Sequence, residues 1–544
     1  MSRTYTNCTN PFLLNLCAII FFATNSTFAA SLNKTLIYCS ENSPIGFDPG
    51  QAKTLPDFTA SAPTLYNRLV EYERGSMKIQ PGLAERWTIS NEGRVYSFYL
   101  RHGVKFHTTP WFKPTRELNA EDVLFTFERM RNPSMPFRKA YPTEFPDFYY
   151  TGLDKIISNI ETPDPYTVRF TLNRAHAPFL FKLAQPSVSI LSSEYAMQLL
   201  KAGNPSDISK KPVGTGPFIF QKYIKDAKIR FKGNPEYWNP NDVRLSALIF
   251  DIAPNAATRT QKLKAHECQV ASNLLLTNLP DLEQNPDLRV LNQPGFNMIY
   301  LAYNTTHKPL NDVRVRRALD MAIDKKVIIN HVYEGRAQIA IAPMPPLQWS
   351  YDKNLKDAPR NLKKAKALLA RAGYPNGFTL SLWAPLLEPN RRLMAEMIQA
   401  DWKKIGIKAH IMSYELGEYY SRAMNGEHDA LLVNVVSNIP DPDNWLNLLN
   451  SNAVRTGDNF SRWRNKSFDG LIQRAAQMSD VAERTQLYLK AQKIFKREQP
   501  FTPIAYATDY QVINKRVTGF KINPLGPTIF SDVGLSPPLQ TGSK

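Results

Sequence analysis

The stretch Leu431–Trp445, LLVNVVSNIPDPDNW, decides how this chain is read. It opens as an apolar run and breaks into a loop that carries Asn438, Asp441 and Asp443 and ends on Trp445. A short apolar run bounded by turn residues suits a strand buried in a parallel sheet. In open α/β sheets, ligands sit just beyond the carboxyl ends of such strands. The loop is therefore the expected place for a small-molecule site, provided its neighbours build a parallel sheet.

The preceding residues have the required pattern. Phe378–Trp383 (FTLSLW) alternates as a strand. Arg391–Ile405 places Met394, Ile398, Trp402 and Ile405 at helical spacing. Ile407–Met412 reads as a second strand, Gly417–Met424 as a second helix and Ala430–Val436 as a third strand. With right-handed crossovers this β-α-β-α-β run makes a parallel three-stranded layer, with Trp383-Ala384-Pro385 and Ser437-Asn438 at one rim. Trp383 and Trp445 flank that rim, to stack on a ligand or to pack in the core. Asp441 and Asp443 read as a cap on the next helix, as ligand-facing charge or as a carboxylate pair.

At 544 residues the chain exceeds one hydrophobic core, so two or three domains are expected. Its 41 prolines against 24 glycines point to rigid connections rather than a disordered tail. The net charge is +19, a solvated basic surface or an attraction for anionic membrane or solutes. No run of five or six consecutive Lys/Arg occurs, so no nucleic-acid tail is expected.

Arg3, the apolar segment Phe12–Ala23 and the small residues up to Ala29 read as a secretory signal peptide over 1–29. Its removal takes one charge, Arg3, and two of the four cysteines, Cys8 and Cys17. The mature product is expected to be soluble and exported. In an oxidising compartment the remaining pair, Cys39 and Cys268, favours a disulfide, with two separate buried thiols as the alternative.

Elsewhere, Lys34–Tyr38 reads as a first strand, Ala62–Tyr72 as a helix with Leu65, Leu69 and Val70 on one face, and Asn119–Met130 as a helix capped by Asn119. Gly214-Thr215-Gly216 lacks the Lys-Ser/Thr of a phosphate loop and enters a strand. Enzyme motifs are missing: His266-Glu267 has Val270 where HExxH needs histidine, and no GxSxG occurs. No catalytic residues, metal site or cofactor are expected.

Several segments resemble extracellular solute-binding protein family 5, the peptide-, dipeptide- and nickel-binding subunits of ABC importers. They are PGLAERW (81–87), YSFYLRHGVKFH (96–107), FKPTRELNAEDVLFTFER (112–129), PVGTGPF (212–218), NPEYW (234–238), PLNDVRVRRAL (309–319), KAKALLARAGYPNGF (364–378) and MAEMIQADWKKIGI (394–407). The likeness spans the mature chain in order and is strongest to the dipeptide/haem-binding branch, with Sap-type antimicrobial-peptide binders nearby.

The resemblance implies an α/β, two-lobed periplasmic binding protein of type II with a ligand cleft between the lobes. Lobe I would be 34–294, with an extra subdomain near 75–203, and 508–540 would return to it. Lobe II would be 296–507. Cys39 and Cys268 match a disulfide of the dipeptide-binding relatives, whose second pair is replaced here by Asn452 and Arg464. The implied function is capture of a peptide or peptide-like ligand for an inner-membrane ABC permease and its ATPase, by a periplasmic monomer. Haem or antimicrobial-peptide capture is the alternative, and a secreted hydrolase the alternative from another class.

The relatives hold the ligand ammonium with an aspartate where this chain has Asn438, which carries no full charge. Asp441 and Asp443 are the nearby substitutes. The relatives' carboxylate-binding arginine falls in a loop that is shorter here, leaving Arg391 as the nearest basic candidate. The expected ligand set is thus Asn438, Asp441, Asp443, Trp383, Arg391 and Trp445.

Overall fold

The structure is a computed structural model that describes residues 34–456 and 458–537. The signal peptide expected over 1–29, with Cys8 and Cys17, lies outside those residues.

One twelve-stranded mixed sheet runs through the molecule. From one edge its order is Lys408–Met412, Thr379–Trp383, Ala430–Val436, Asn297–Tyr303, Phe501–Asn514, Val270–Ala271, Thr35–Ser40, Ala247–Ile252, Lys228–Gly233 and Phe218–Ile224. Leu288–Pro294 and Ala337–Ile339 also pair with Phe501–Asn514. The expected parallel layer is present: Thr379–Trp383 is its central strand and pairs in parallel with both Lys408–Met412 and Ala430–Val436. On its other side Ala430–Val436 runs antiparallel to Asn297–Tyr303, which makes the sheet mixed.

Period-2 alternation divides the core around these strands. Leu380, Leu382 and Leu432 pack with Met394, Ile398 and Trp402 on one face. Trp383, Leu431 and Val433 pack with Tyr300, Tyr419 and Trp445 on the other. The helices between the strands, Pro389–Lys403 and Leu416–Asn425, end where Gly406 and Gly426 take positive φ. That conformation is open to glycine at little steric cost.

The N-terminal half of the sheet has its own core, built on Leu36, Leu248, Phe231 and Phe250. A separate four-stranded antiparallel sheet, Ala84–Ser90, Val95–Leu100, Thr167–Leu172 and Ile157–Asp164, joins that core under the helix Ala120–Arg131. Asn119 caps this helix, and its capping box is completed by Asp122.

The helix expected over 62–72 stops at Leu65, and Val70–Tyr72 is instead a strand paired with Ile79–Pro81. The cause is tertiary. Tyr66 is extended, and the Leu65 carbonyl takes the Gly216 N–H at 2.9 Å. A Cβ on Gly214 or Gly216 would lie 1.9 Å from the Leu65 oxygen or 2.4 Å from its carbonyl carbon. The GTG turn therefore serves close backbone packing.

Two chain segments connect the halves of the sheet and lie side by side. One is the step from Leu288–Pro294 to Asn297–Tyr303, and the other is the long strand Phe501–Asn514. They are joined where Gly295 N–H donates to the Ala507 carbonyl at 3.0 Å. The Asn297 side chain adds a two-way amide pair: Nδ2 donates to that carbonyl at 3.1 Å, and Oδ1 accepts the Ala507 N–H at 2.8 Å.

Candidate functional site

The three parallel strands end at Trp383, Met412 and Val436. Hydrogen bonds from Ala384 N to Met412 O (3.1 Å) and Leu386 N to Tyr414 O (2.9 Å) hold the first two ends together. Ala430–Val436 pairs with its parallel neighbour only through Ala430 and Leu431, so Asn434 and Val436 project past it. This rim is apolar and open: Val436 is 68%, Leu386 54% and Leu387 80% exposed.

The expected ligand residues separate into two groups. Trp383, Trp445, Arg391 and Asp441 are committed to the protein's own structure. Trp445 is buried edge-on against Phe296, with ring centroids 5.3 Å apart. Trp383 is buried against Tyr414, Tyr419 and His428. The stacking role expected of these two rings gives way to packing, because both belong to the cluster between the sheet and its covering helices. Arg391 is buried in an ion pair with Glu388 and donates to the Leu432 carbonyl and the Tyr420 hydroxyl, at 3.3 Å each.

Asp441 is fully buried. Both its oxygens lie 2.8 Å from Arg484 Nη2, and Oδ1 also accepts the Asp443 N–H at 2.9 Å. It therefore caps the helix Pro442–Leu446 and neutralises a buried guanidinium, so no charge is left over for a ligand.

Asn438 and Asp443 remain. Asn438 is half-buried at the strand end, and its carbonyl accepts Gln185 Nε2 at 2.9 Å. The residue lines a narrow pocket with Arg68, Tyr72 and Asn523. Asp443 lies across the same loop and lines a different cavity of about 440 Å³. That cavity lies between residues 150–182 and 439–477, so the two halves of the chain supply its two walls. The halves also touch beside it, through Ala177 N–H on the Ala476 carbonyl at 2.9 Å.

Burial, then the neighbouring Asp441 charge, pushes the Asp443 carboxyl up to about 7, against the pull of Lys182 and Arg484. A carboxyl raised on folding binds its proton more tightly in the native state, so its contribution to stability falls as pH rises from 3.8 to about 7. Asp443→Asn should remove this fall. Urea midpoints for both proteins between pH 4 and pH 8 test it, and parallel profiles would refute it.

Sequence reading missed Gln185, Lys182 and His176. They lie in or beside the short helix Phe179–Leu183, with nothing in their spacing to distinguish them from surface residues. Only the fold brings them to a loop some 250 residues later; Gln185 and Asn438 are 253 positions apart. Among the described residues, no group of three or more His, Cys, Asp or Glu is placed to hold a metal ion. Arg464, one of the two positions at which the resemblance implies a cysteine pair in relatives, donates to the Ser451 carbonyl at 3.2 Å.

Comparison with known proteins adds three likenesses. The chain is 52% identical over 522 residues to di/tripeptide-binding protein 1 of Pseudomonas aeruginosa (strain UCBPP-PA14), covering 95% of this chain and 96% of that one. It is 39% identical over 510 residues to heme-binding protein A of Haemophilus influenzae, covering 93% of each. Its fold matches the structure of HbpA2 from Haemophilus parasuis with a TM-score of 0.89 and 42% identity, over 92% of this chain and all of that one. The fold is thus α/β, of the kind found in bilobed periplasmic binding proteins. The model of the bacterial extracellular solute-binding proteins, family 5, matches residues 78–457. On that match and on these identities, the chain belongs to extracellular solute-binding protein family 5.

Proposed function

We propose that this protein is the periplasmic substrate-binding component of an ABC importer, and that it captures a peptide between two closing lobes for delivery to the permease. The observation that carries this reading is the Gln185–Asn438 contact. It brings one half of the chain onto the strand end of the other, which puts the ligand position of an open α/β sheet at the join. The 52% identity to a di/tripeptide-binding protein favours a peptide as the ligand. Family members bind solutes and do no chemistry on them.

In this reading lobe I is 34–294 with a subdomain near 75–203, lobe II is 296–507, and 508–540 returns to lobe I. The separate antiparallel sheet and the two adjoining crossings at Gly295 and Ala507 support the division. Crossings of this kind absorb hinge motion as the lobes close on a ligand. The partners are the peptide, the permease and its ATPase. Native mass spectrometry and small-angle scattering against a peptide library test the whole reading: bound peptide with a compacted chain is expected, and neither across the library would refute it.

Asn438 departs from the charged residue expected at a dipeptide terminus. Hydrogen bonds to a charged group are roughly twice as strong as neutral ones, so Asn438→Asp should tighten free dipeptides about tenfold. Calorimetric titration reads the change, and an unchanged Kd would place the selectivity elsewhere. Haem capture is the second reading, favoured by the 39% identity to a heme-binding protein. A Soret shift on titration with haem is its expected sign.

A further inference from the structure

The two crossings at Gly295 and Ala507 carry a carboxylate that nothing around it neutralises. Asp509 stands just beyond Ala507 on Phe501–Asn514, directly opposite Gln293. Opposed residues of an antiparallel pair point to the same face, with Cβ atoms about 4.5–5.5 Å apart. Yet the buried Gln293 Nε2 has no hydrogen-bond partner among the described residues. Asp509 Oδ1 accepts from Asn297 Nδ2 at 3.4 Å, and that donor is shared with the Ala507 carbonyl at 3.1 Å. Gly295 lies against all three groups. A Cβ there would be 2.1 Å from Asn297 Nδ2, 2.2 Å from the Ala507 oxygen and 2.9 Å from Asp509 Oδ1.

The charged and titratable groups on the packed elements are engaged elsewhere. Beside Ala337–Ile339, Arg336 pairs with Glu283 at 2.8 and 2.9 Å, its guanidinium over the Tyr510 ring. From Leu288–Pro294, Arg289 donates to the Val517 carbonyl at 3.2 Å. Asn297–Tyr303 and Val270–Ala271 carry no charged side chain. On the strand of Asp509 itself, Tyr506 donates to the Ala342 carbonyl at 2.9 Å, and Tyr510 points to the opposite face. Among the described residues Asp509 has no oppositely charged group within 4.0 Å. Burial alone pushes its carboxyl up to about 6.

A charge drawn out of water without a partner is costly, and so is a buried donor left unmade. Both costs fall on the present arrangement, in which the halves touch at Gln185–Asn438 and Ala177–Ala476. Asp509 and Gln293 lie on one side of the crossings and Asn297 on the other, so hinge rotation there changes their contacts. Protonating Asp509 removes the first cost. Moving its carboxylate onto the Gln293 amide removes the second and satisfies the charge.

We propose that Asp509 links closure to the proton: the touching halves hold it protonated beside Asn297, and opening releases the proton as the carboxylate takes the Gln293 amide. The proton passes between the carboxyl oxygen and water, and no other covalent bond changes. A carboxyl that holds its proton more tightly in the closed form favours closure at low pH. That advantage is lost as pH rises from 3.8 through about 6. By reciprocity, a ligand that closes the halves draws a proton onto Asp509. The inference rests on the reading that two lobes close on a peptide, and adds the regulation of that closure.

The test is calorimetric titration of the full mature chain with L-alanyl-L-alanine, in two buffers of different ionisation heat, which counts protons taken up on binding. At pH 5 wild type should take up about one proton more than Asp509→Asn. Its affinity should also weaken about tenfold more between pH 5 and pH 7.5. Asp443 titrates in the same range but is common to both proteins, so it drops out of the difference. A purely structural role for Asp509 would change the affinity and leave the proton count alone. Gln293→Met removes the amide that receives the carboxylate on opening, and should cut the uptake to about half or less.

If the dipeptide binds and Asp509→Asn matches wild type in proton count and pH profile, the inference falls while peptide capture stands. Small-angle scattering of the ligand-free chain at pH 8 and pH 5 separates the remaining cases. If nothing in the peptide library binds, but the chain compacts at pH 5 in a manner that Asp509→Asn abolishes, the proton link stands and the peptide reading falls. If nothing binds and the chain does not compact, both are overturned. Where Asp509→Asn does not fold, Gln293→Met decides, and an unchanged proton count there overturns the inference.

Discussion

Arg484→Ala lowers the unfolding free energy by about 3–5 kcal/mol, the cost of leaving one member of a buried ion pair without the other. Arg484 is 4% and Asp441 0% exposed on the side chain, and both carboxylate oxygens lie 2.8 Å from Nη2. The guanidinium also donates to the Ala475 carbonyl at 2.8 Å and to the Tyr488 hydroxyl at 2.9 Å. Truncation strips all of these at once and strands a carboxylate where water does not reach. Because Asp441 caps Pro442–Leu446, the loop carrying Asn438 and Asp443 loosens with it. Adding Asp441→Asn to Arg484→Ala removes the stranded charge and should recover part of the loss. Urea unfolding at pH 7 measures both; a loss below about 1 kcal/mol would show that the pair is no stronger than a surface bridge.

Opening the Cys39–Cys268 disulfide is the second large effect. The bond joins the first strand to the segment before Val270–Ala271, across a sequence separation of 229. Closing so long a loop restricts the unfolded chain, which the chain-entropy account values at about 5 kcal/mol, and native disulfides typically contribute about 2–5. Cys39→Ala with Cys268→Ala is the right substitution, because both sulfurs sit among Leu263, Leu279, Leu282 and Val512. Serine would add a buried hydroxyl to that apolar cluster and confuse the measurement. The double variant and the reduced protein should show the same lowered urea midpoint. An unchanged midpoint in either would mean that the surrounding packing alone fixes the first strand.

Much of the architecture is legible in the amino-acid sequence. Met394, Ile398 and Trp402 fall on one helical face because a helix repeats every 3.6 residues, and all three are buried. Asn119 and Asn361 each cap the helix that follows them, as short polar side chains do when they replace the missing backbone partners of the first turn. The parallel layer follows from the alternation of strand and helix with short connections. The helix expected over 62–72 fails because Leu65, Leu69 and Val70 suit either a helix face or a strand and its flanks. The deciding contact is a hydrogen bond from Gly216, far along the chain.

At the candidate site, the sequence by itself determined that a strand ends near Val436 and that acids and an amide follow it. Only the tertiary structure decided what each of those residues does. Asp441 and Asp443 are two positions apart and alike in chemistry. One meets Arg484, 43 positions away, and is fully neutralised; the other faces a cavity whose opposite wall comes from residues 150–182. Arg391, Trp383 and Trp445 were eligible for ligand contact by residue type and are buried in the protein instead. Periodicity and capping act over a few residues and can be read along the chain. Burial and charge pairing depend on which distant side chain arrives in the same space, and the fold alone sets that.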